Sequence, residues 1–101
     1  MSRTWAYNFE WDPAKARLNV KKHGVAFERA ATVFQDPHAL SAYDHDHSHL
    51  EERWITLGRD RSDVLLVVHH TYSEQTAGIT TIRLFSARHP TKNETRQYEG
   101  E

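Results

Sequence analysis

Phe9-Glu10-Trp11-Asp12-Pro13-Ala14-Lys15, continuing through Asn19 to Lys22-His23-Gly24 and Phe27, is the stretch that decides the fold. It reads as a strand end, a capped helix and a basic helix tip. Asp12 suits an N-cap, Pro13 suits the first helical position, where a missing N–H costs nothing, and Gly24 suits the left-handed residue just past a helix end. The pattern predicts a helix over residues 13–23 with Lys21, Lys22 and His23 in its last turn, where cations complement the helix dipole. A short strand over 8–11 leads into it, and residues 1–7 read as a loose lead-in.

Working outward, Phe27, Ala30, Ala31 and Phe34 fall at i, i+3, i+4 and i+7, so a second helix is expected over 27–35, stopped by Asp36-Pro37. A short strand over 39–43, a polar loop over 44–50 and an alternating strand over 53–58 follow, with a turn at 59–63. Val64 to Tyr72 is the strongest strand signal, and its Val64-Leu65-Leu66-Val67-Val68 run predicts burial on both faces. A turn over 73–78 joins it to a strand over 79–88. Thr91-Lys92-Asn93-Glu94 is a capping box that opens the last helix. The expectation is an α+β fold: a small antiparallel sheet with two N-terminal helices and a C-terminal helix, all packed on one side, with the other sheet face as the working surface.

The chain has 101 residues, 38% of them apolar, enough for one core and hence one domain over 1–101. It contains no cysteine, which excludes thiolate chemistry and a disulfide framework. No apolar run approaches the roughly 20 residues of a membrane span and no signal peptide is legible, so a soluble cytoplasmic protein is expected. Net charge is −1, but it is unevenly placed. Residues 13–29 carry five Lys/Arg (15, 17, 21, 22, 29) against Glu28; residues 35–52 carry five acids (36, 44, 46, 51, 52) and no Lys or Arg; residues 83–96 carry four Lys/Arg (83, 88, 92, 96) against Glu94. If the two basic segments meet they make a cationic groove that attracts phosphate chains; otherwise they form a solvated mixed surface.

The ordered set Phe9-x-Trp11-Asp12-x-x-Lys15-x-x-x-Asn19-x-x-Lys22-His23-Gly24-x-x-Phe27, then Ala30-Ala31-Thr32-Val33-Phe34, Glu52-Arg53, Gly58, Leu66-Val67-Val68 with Thr71, Ser86-Ala87-Arg88, Glu94 and Tyr98, resembles the BrnT toxins of bacterial type II toxin–antitoxin systems. The resemblance spans residues 9–99 and implies a RelE-like architecture. It further implies a metal-independent endoribonuclease that inhibits translation, with no cofactor. The implied partner is a BrnA-like ribbon-helix-helix antitoxin, and operator DNA is reached only through that antitoxin. The alternative is a non-catalytic module that binds protein or RNA with the same cationic surface. A third reading is a metal-binding regulatory domain.

RNA cleavage without metal asks for a base at the ribose 2′-OH, cations around the phosphate and an acid for the 5′-oxygen. His suits either proton role, and the planar fork of Arg pairs two phosphate oxygens at once. Arg88 is the first candidate: strand alternation puts it with Ser86, Leu84 and Ile82, while Arg83 faces the other side with Phe85 and Ala87. Its alternative is a surface salt bridge. Arg53 is a second phosphate contact or pairs near Glu52. His23 and Lys22 hold a site role or simply cap the helix, and Lys21 stands beside them. Tyr98 stacks on a base or packs on the sheet, and Glu94 belongs to the capping box. His69 and His70 point to opposite faces of their strand; a satisfied core or sheet histidine is the commoner outcome for such a residue, and His70 is the one named to reach the groove. Family members often carry an Arg soon after Thr71, where this chain has Ser73, so one cationic contact is in doubt. Asp44-His45-Asp46-His47-Ser48-His49 could share one face and bind zinc or nickel, but its ligands are nearly contiguous and it reads as a solvated loop without a metal site.

Overall fold

A computed structural model of the chain describes residues 6–76 and 78–100. The order is β1 (Ala6–Glu10), α1 (Pro13–His23), α2 (Phe27–Ala31), a 3₁₀ turn (Thr32–Gln35), β2 (Leu40–Tyr43), a 3₁₀ turn (His45–His47), β3 (Trp54–Arg59), β4 (Leu65–Thr76), β5 (Ile79–Arg88) and α3 (Lys92–Glu99). The five strands form one sheet in the order β1-β5-β4-β3-β2. Residues 1–5 of the expected lead-in and residue 77 of the expected turn lie outside the described residues, while Tyr7 belongs to β1. No helix among the described residues is long and apolar enough to cross a membrane.

The caps form as their residue types dictate. Asp12 accepts from the Ala14 N–H at 2.8 Å, and Gly24 closes α1 at φ 70°, a backbone conformation that costs a residue without Cβ little. Thr91 and Glu94 complete the capping box of α3. The expected helix over 27–35 is divided: five residues are α-helical and the rest tighten into a 3₁₀ turn. The Thr32 hydroxyl donates back to the Arg29 carbonyl at 2.7 Å, a local bond that competes with the helical ladder.

Three expectations about the sheet need correction. First, the sheet is mixed, because β1 pairs with β5 in parallel, Phe9 opposite Ile82. Alternation along β1 records which face is buried, not which strand lies beside it or in which direction. Second, the helices do not share one side. Residues 25–33 pack with Leu66, Val68, Ile82, Leu84 and Ala87 on one face. Leu57, Leu65 and Val67 form a second cluster on the other face, with Tyr98 of α3 packed against it. Burial of Leu65 to Val68 on both faces is therefore real, and it takes helices on both sides to achieve it.

The third correction concerns β5. His69 pairs with Ser86 and His70 with Leu84, so Phe85 is an extra residue on the bulged strand. A bulge of this kind inverts the facing of everything beyond it. Ile82, Leu84 and Ala87 all enter the same core cluster, although simple alternation would separate Ala87 from the other two. Arg88 thus shares a face with Arg83 rather than opposing it. The β4–β5 pairing also extends to Thr76 and Ile79, past the expected strand end at Tyr72.

Candidate active site

Beyond residue 83 of β5 the parallel partner β1 has ended, and α1 takes its place along the strand edge. The link is Asn19, which is 5% exposed. Its Nδ2 donates to the carbonyls of Ala87 (2.8 Å) and Val25 (2.9 Å), and its Oδ1 accepts from the Ala87 N–H (3.1 Å). One side-chain amide thereby substitutes for a neighbouring strand and satisfies backbone groups that burial would otherwise leave unpaired.

This docking leaves a cleft of about 450 Å³ between α1, the β4–β5 surface and the 44–53 loop. From α1 come Lys15, Lys22 and His23; from the sheet, His69, Phe85 and Ser86; from the loop, Asp44, His47 and Arg53. Three imidazoles and three cations from segments far apart in sequence thus border one depression. It lies on the α3 side of the sheet, because His69 continues the Leu65, Val67 alternation, and it occupies the part that α3 does not cover.

Arg53 is the best-placed cation. Its guanidinium lies over the Phe85 ring, 4.4 Å from the centroid, where the ring quadrupole favours a cation. Arg83 and Lys15 approach the same ring at 5.8 and 5.4 Å. Among the described residues the Arg53 Nε is buried without a hydrogen-bond partner, and its Nη2 sits 3.6 Å from Glu51. A buried N–H lacking an acceptor is costly, so the Nε side of this guanidinium is held at a cost that the Phe85 stacking helps offset.

The 44–53 loop is exposed over most of its residues, as expected, but it is closed by hydrogen bonds and its Asp44 is buried. Asp44 is only 7% exposed, and its N–H donates to the Arg53 carbonyl at 2.8 Å. The Ser48 hydroxyl donates to the Asp44 carbonyl (2.6 Å) and accepts from the Arg53 N–H (3.0 Å). Both Asp44 carboxylate oxygens lie against His47 Nδ1, at 3.0 and 3.1 Å. His45 turns away against the Tyr43 ring. Among the described residues no group of three or more His, Cys, Asp or Glu side chains is arranged to hold a metal ion.

Of the adjacent histidines, His69 and not His70 borders the cleft, while His70 takes the alternative role of a satisfied core histidine. His69 borders the cleft; burial holds its pKa below the ordinary value, and the positive charge of Arg88 adds to that effect. His70 is wholly buried, with Nε2 2.7 Å from the Thr56 hydroxyl and its ring edge-on to Phe34. Burial lowers its pKa to about 4, so it is neutral at pH 7, and its side chain lies in the core rather than at the cleft. No sequence signal separated the two, since each is an imidazole on an apolar strand.

Arg88 does not border the cleft. Its Nη1 and Nη2 donate to the two Glu94 carboxylate oxygens at 2.8 and 2.9 Å, a bidentate pair. That pair lowers the Glu94 pKa to about 2 and raises that of Arg88. The surface salt bridge weighed for Arg88 is thus what forms, though it is partly buried and anchors α3 to β5. Tyr98 packs on the sheet, with its hydroxyl donating to Asp36 at 2.6 Å and the Arg59 guanidinium over its ring at 5.2 Å. Burial would push the Asp36 carboxyl up, but donors from Arg59, Tyr98 and His38 hold it below its ordinary value. Lys21 lies outside the cleft, beside Arg17 and Val20 on the outer side of α1. His47 and His69, both missed as site residues, were detectable only as histidines.

Comparison with known proteins agrees with this architecture. Comparison with curated proteins finds no match. Among solved structures the chain is similar to the Brucella abortus ribonuclease toxin BrnT, at 15% identity and a TM-score of 0.55, over 86% of this chain and 99% of that one. At that identity the likeness carries the fold alone. The family model described as ribonuclease toxin, BrnT, of type II toxin–antitoxin system matches residues 11–94, which include every residue bordering the cleft and the Asn19 clamp. The chain belongs to the BrnT family of ribonuclease toxins of type II toxin–antitoxin systems.

Proposed function

We propose that this chain is a metal-independent endoribonuclease of RelE-like type, that it cuts RNA in the cleft beside α1, and that the cutting inhibits translation. The observation that carries the reading is the convergence of His23, His47 and His69 with Arg53, Lys15 and Lys22 on one cleft. The ribose 2′-oxygen attacks the adjacent phosphorus, imidazoles move the two protons, and Arg53 braces the phosphate as negative charge develops. Lys15 and Lys22 draw the phosphate chain toward the cleft, and Arg83 extends that field along the sheet. Arg88 supports the site by holding α3 through Glu94, and reaches RNA only when that pair opens. His23, exposed at the tip of α1, is the proton donor best placed to meet solvent-borne substrate.

Membership of a type II toxin–antitoxin family implies an antitoxin partner and an RNA substrate. We assign the partner to the BrnA type, with a ribbon-helix-helix domain that carries the pair to operator DNA, and place both in the cytoplasm.

The test is cleavage of a defined RNA by the purified chain. Activity should persist in excess EDTA, and a 2′-deoxy nucleotide at the cut position should block it. The 5′ fragment should end in a 2′,3′-cyclic phosphate or its hydrolysed 3′-phosphate. A 3′-hydroxyl end, EDTA-sensitive cutting or cleavage of the deoxy substrate contradicts the mechanism. Intact RNA under all these conditions favours a non-catalytic binding module instead.

A further inference from the structure

We propose that Asp44 and His47 form a carboxylate–imidazole pair in which His47 Nε2 is the base that takes the ribose 2′-OH proton, Asp44 being its positioning residue. The assignment rests on the nuclease reading and names a group which that reading leaves open. Four observations carry it. The Asp44 carboxylate is buried and places both oxygens on His47 Nδ1 at 3.0 and 3.1 Å. The segment bearing it is closed on itself by Ser48 and the Arg53 backbone, so the carboxylate is fixed before substrate arrives. The His47 side chain is 67% exposed and borders the cleft, and its Nε2 makes no hydrogen bond among the described residues. Arg53, the cation nearest in sequence, ends the same loop and borders the same cleft with its guanidinium over the Phe85 ring.

A carboxylate that accepts the Nδ1 proton holds the neutral ring with its lone pair on Nε2, the tautomer a base requires. The step balances within the RNA and two side chains. The 2′-hydroxyl proton passes to His47 Nε2 as the 2′-oxygen–phosphorus bond forms. The bond from phosphorus to the 5′-oxygen breaks, and that oxygen takes a proton from the His23 imidazolium. The products are a 2′,3′-cyclic phosphate and a 5′-hydroxyl. The charged and titratable groups around His47 are Asp44, His49, Glu51 and Arg53 on its own loop, Lys15, Lys22 and His23 on α1, and His69 on β4.

The pair is tested with the full chain, first without substitution. Long-range ¹⁵N–¹H spectra of the neutral protein should show His47 protonated at Nδ1; a dominant Nε2–H tautomer overturns the proposal. Asp44→Asn should switch that tautomer and lower kcat 100-fold or more while KM changes less than about threefold. His47→Ala should lose kcat by 100- to 10,000-fold, the range of a lost general base. A folded His47→Ala chain that cuts as fast as wild type overturns the pair and leaves the nuclease reading standing. A wild-type chain that cuts no RNA overturns both. Should Asp44→Asn fail to fold, His47→Gln, altered only at an exposed side chain, carries the kinetic test alone.

Discussion

His70 has exchanged water for a Thr56 hydroxyl and two aromatic edges, Phe34 at 4.8 Å and Tyr72 at 4.7 Å between ring centroids. Burial disfavours its charged form most; the Thr71 carbonyl opposes that effect and His69 adds to it, leaving a folded pKa of about 4 against an ordinary 6.5. The unfolded chain therefore binds this proton first as pH falls. The neutral ring's contribution is complete above pH 6.5, declines between 6.5 and 4, and changes no further below 4. At about 1.4 kcal/mol per pH unit the loss is on the order of 3 kcal/mol. Urea midpoints measured at pH 7, 5.5 and 4 should fall accordingly, and His70→Gln should flatten that slope; a pH-independent midpoint in the wild-type chain contradicts the prediction. Glu94 adds a later acid loss, because its pKa is held at about 2 by Arg88, so its stabilisation is present above 4.5 and disappears as pH falls through 2. Both windows come from partners that residue identity does not reveal. One of two histidines after a run of five apolar residues and an arginine at a strand end each admit a site role and a packing role, and only neighbours decide.

Turn and cap chemistry is local, so the elements came out of the sequence well. Asp12, Pro13 and Gly24 bounded α1 at the residues they predict, and the Thr91–Glu94 box did the same for α3. Gly58 is the instructive strand residue. Its place in β3 has little to do with the following turn and much to do with the 3₁₀ turn stacked above it. A Cβ there would lie 2.9 Å from Val33 Cγ1, 3.0 Å from Ala39 Cβ and 3.2 Å from an Asp36 carboxylate oxygen. Gly58→Ala should cost about 1–3 kcal/mol through overpacking, read as a lower Tm. An unchanged Tm would mean that the 3₁₀ turn yields freely. The bulge at Phe85 was invisible for the opposite reason. Nothing in Leu84-Phe85-Ser86 marks an extra residue, and the irregularity exists only relative to β4. Its effect is large, since it puts Ala87 into the core and turns Ser86 and Arg88 to the face that holds the cleft.

Across the whole molecule, the candidate site depends on three remote segments meeting, and Asn19 is the join between α1 and the sheet. Asn19→Ala leaves both the N–H and C=O of Ala87 without their side-chain partner and should cost about 2–4 kcal/mol. Denaturant unfolding measures that cost, and RNA cleavage should fall with it because the α1 wall of the cleft loosens. A loss under about 0.5 kcal/mol would mean that water replaces the amide and that α1 is held by packing alone. The sequence by itself determined the elements, their caps, the buried central strand, the BrnT family and the basic character of α1, because each is written in residue types at short spacing. It also named His23, Lys22 and Arg53, which do border the cleft. Tertiary structure alone decided the parallel β1–β5 pairing, the helices on both faces, the exclusion of Arg88 and His70 from the cleft, and the entry of His47 and His69. Those outcomes turn on a strand's partner, on one extra residue and on which carboxylate lies within reach of an imidazole or guanidinium, and such relations arise only when distant segments pack together.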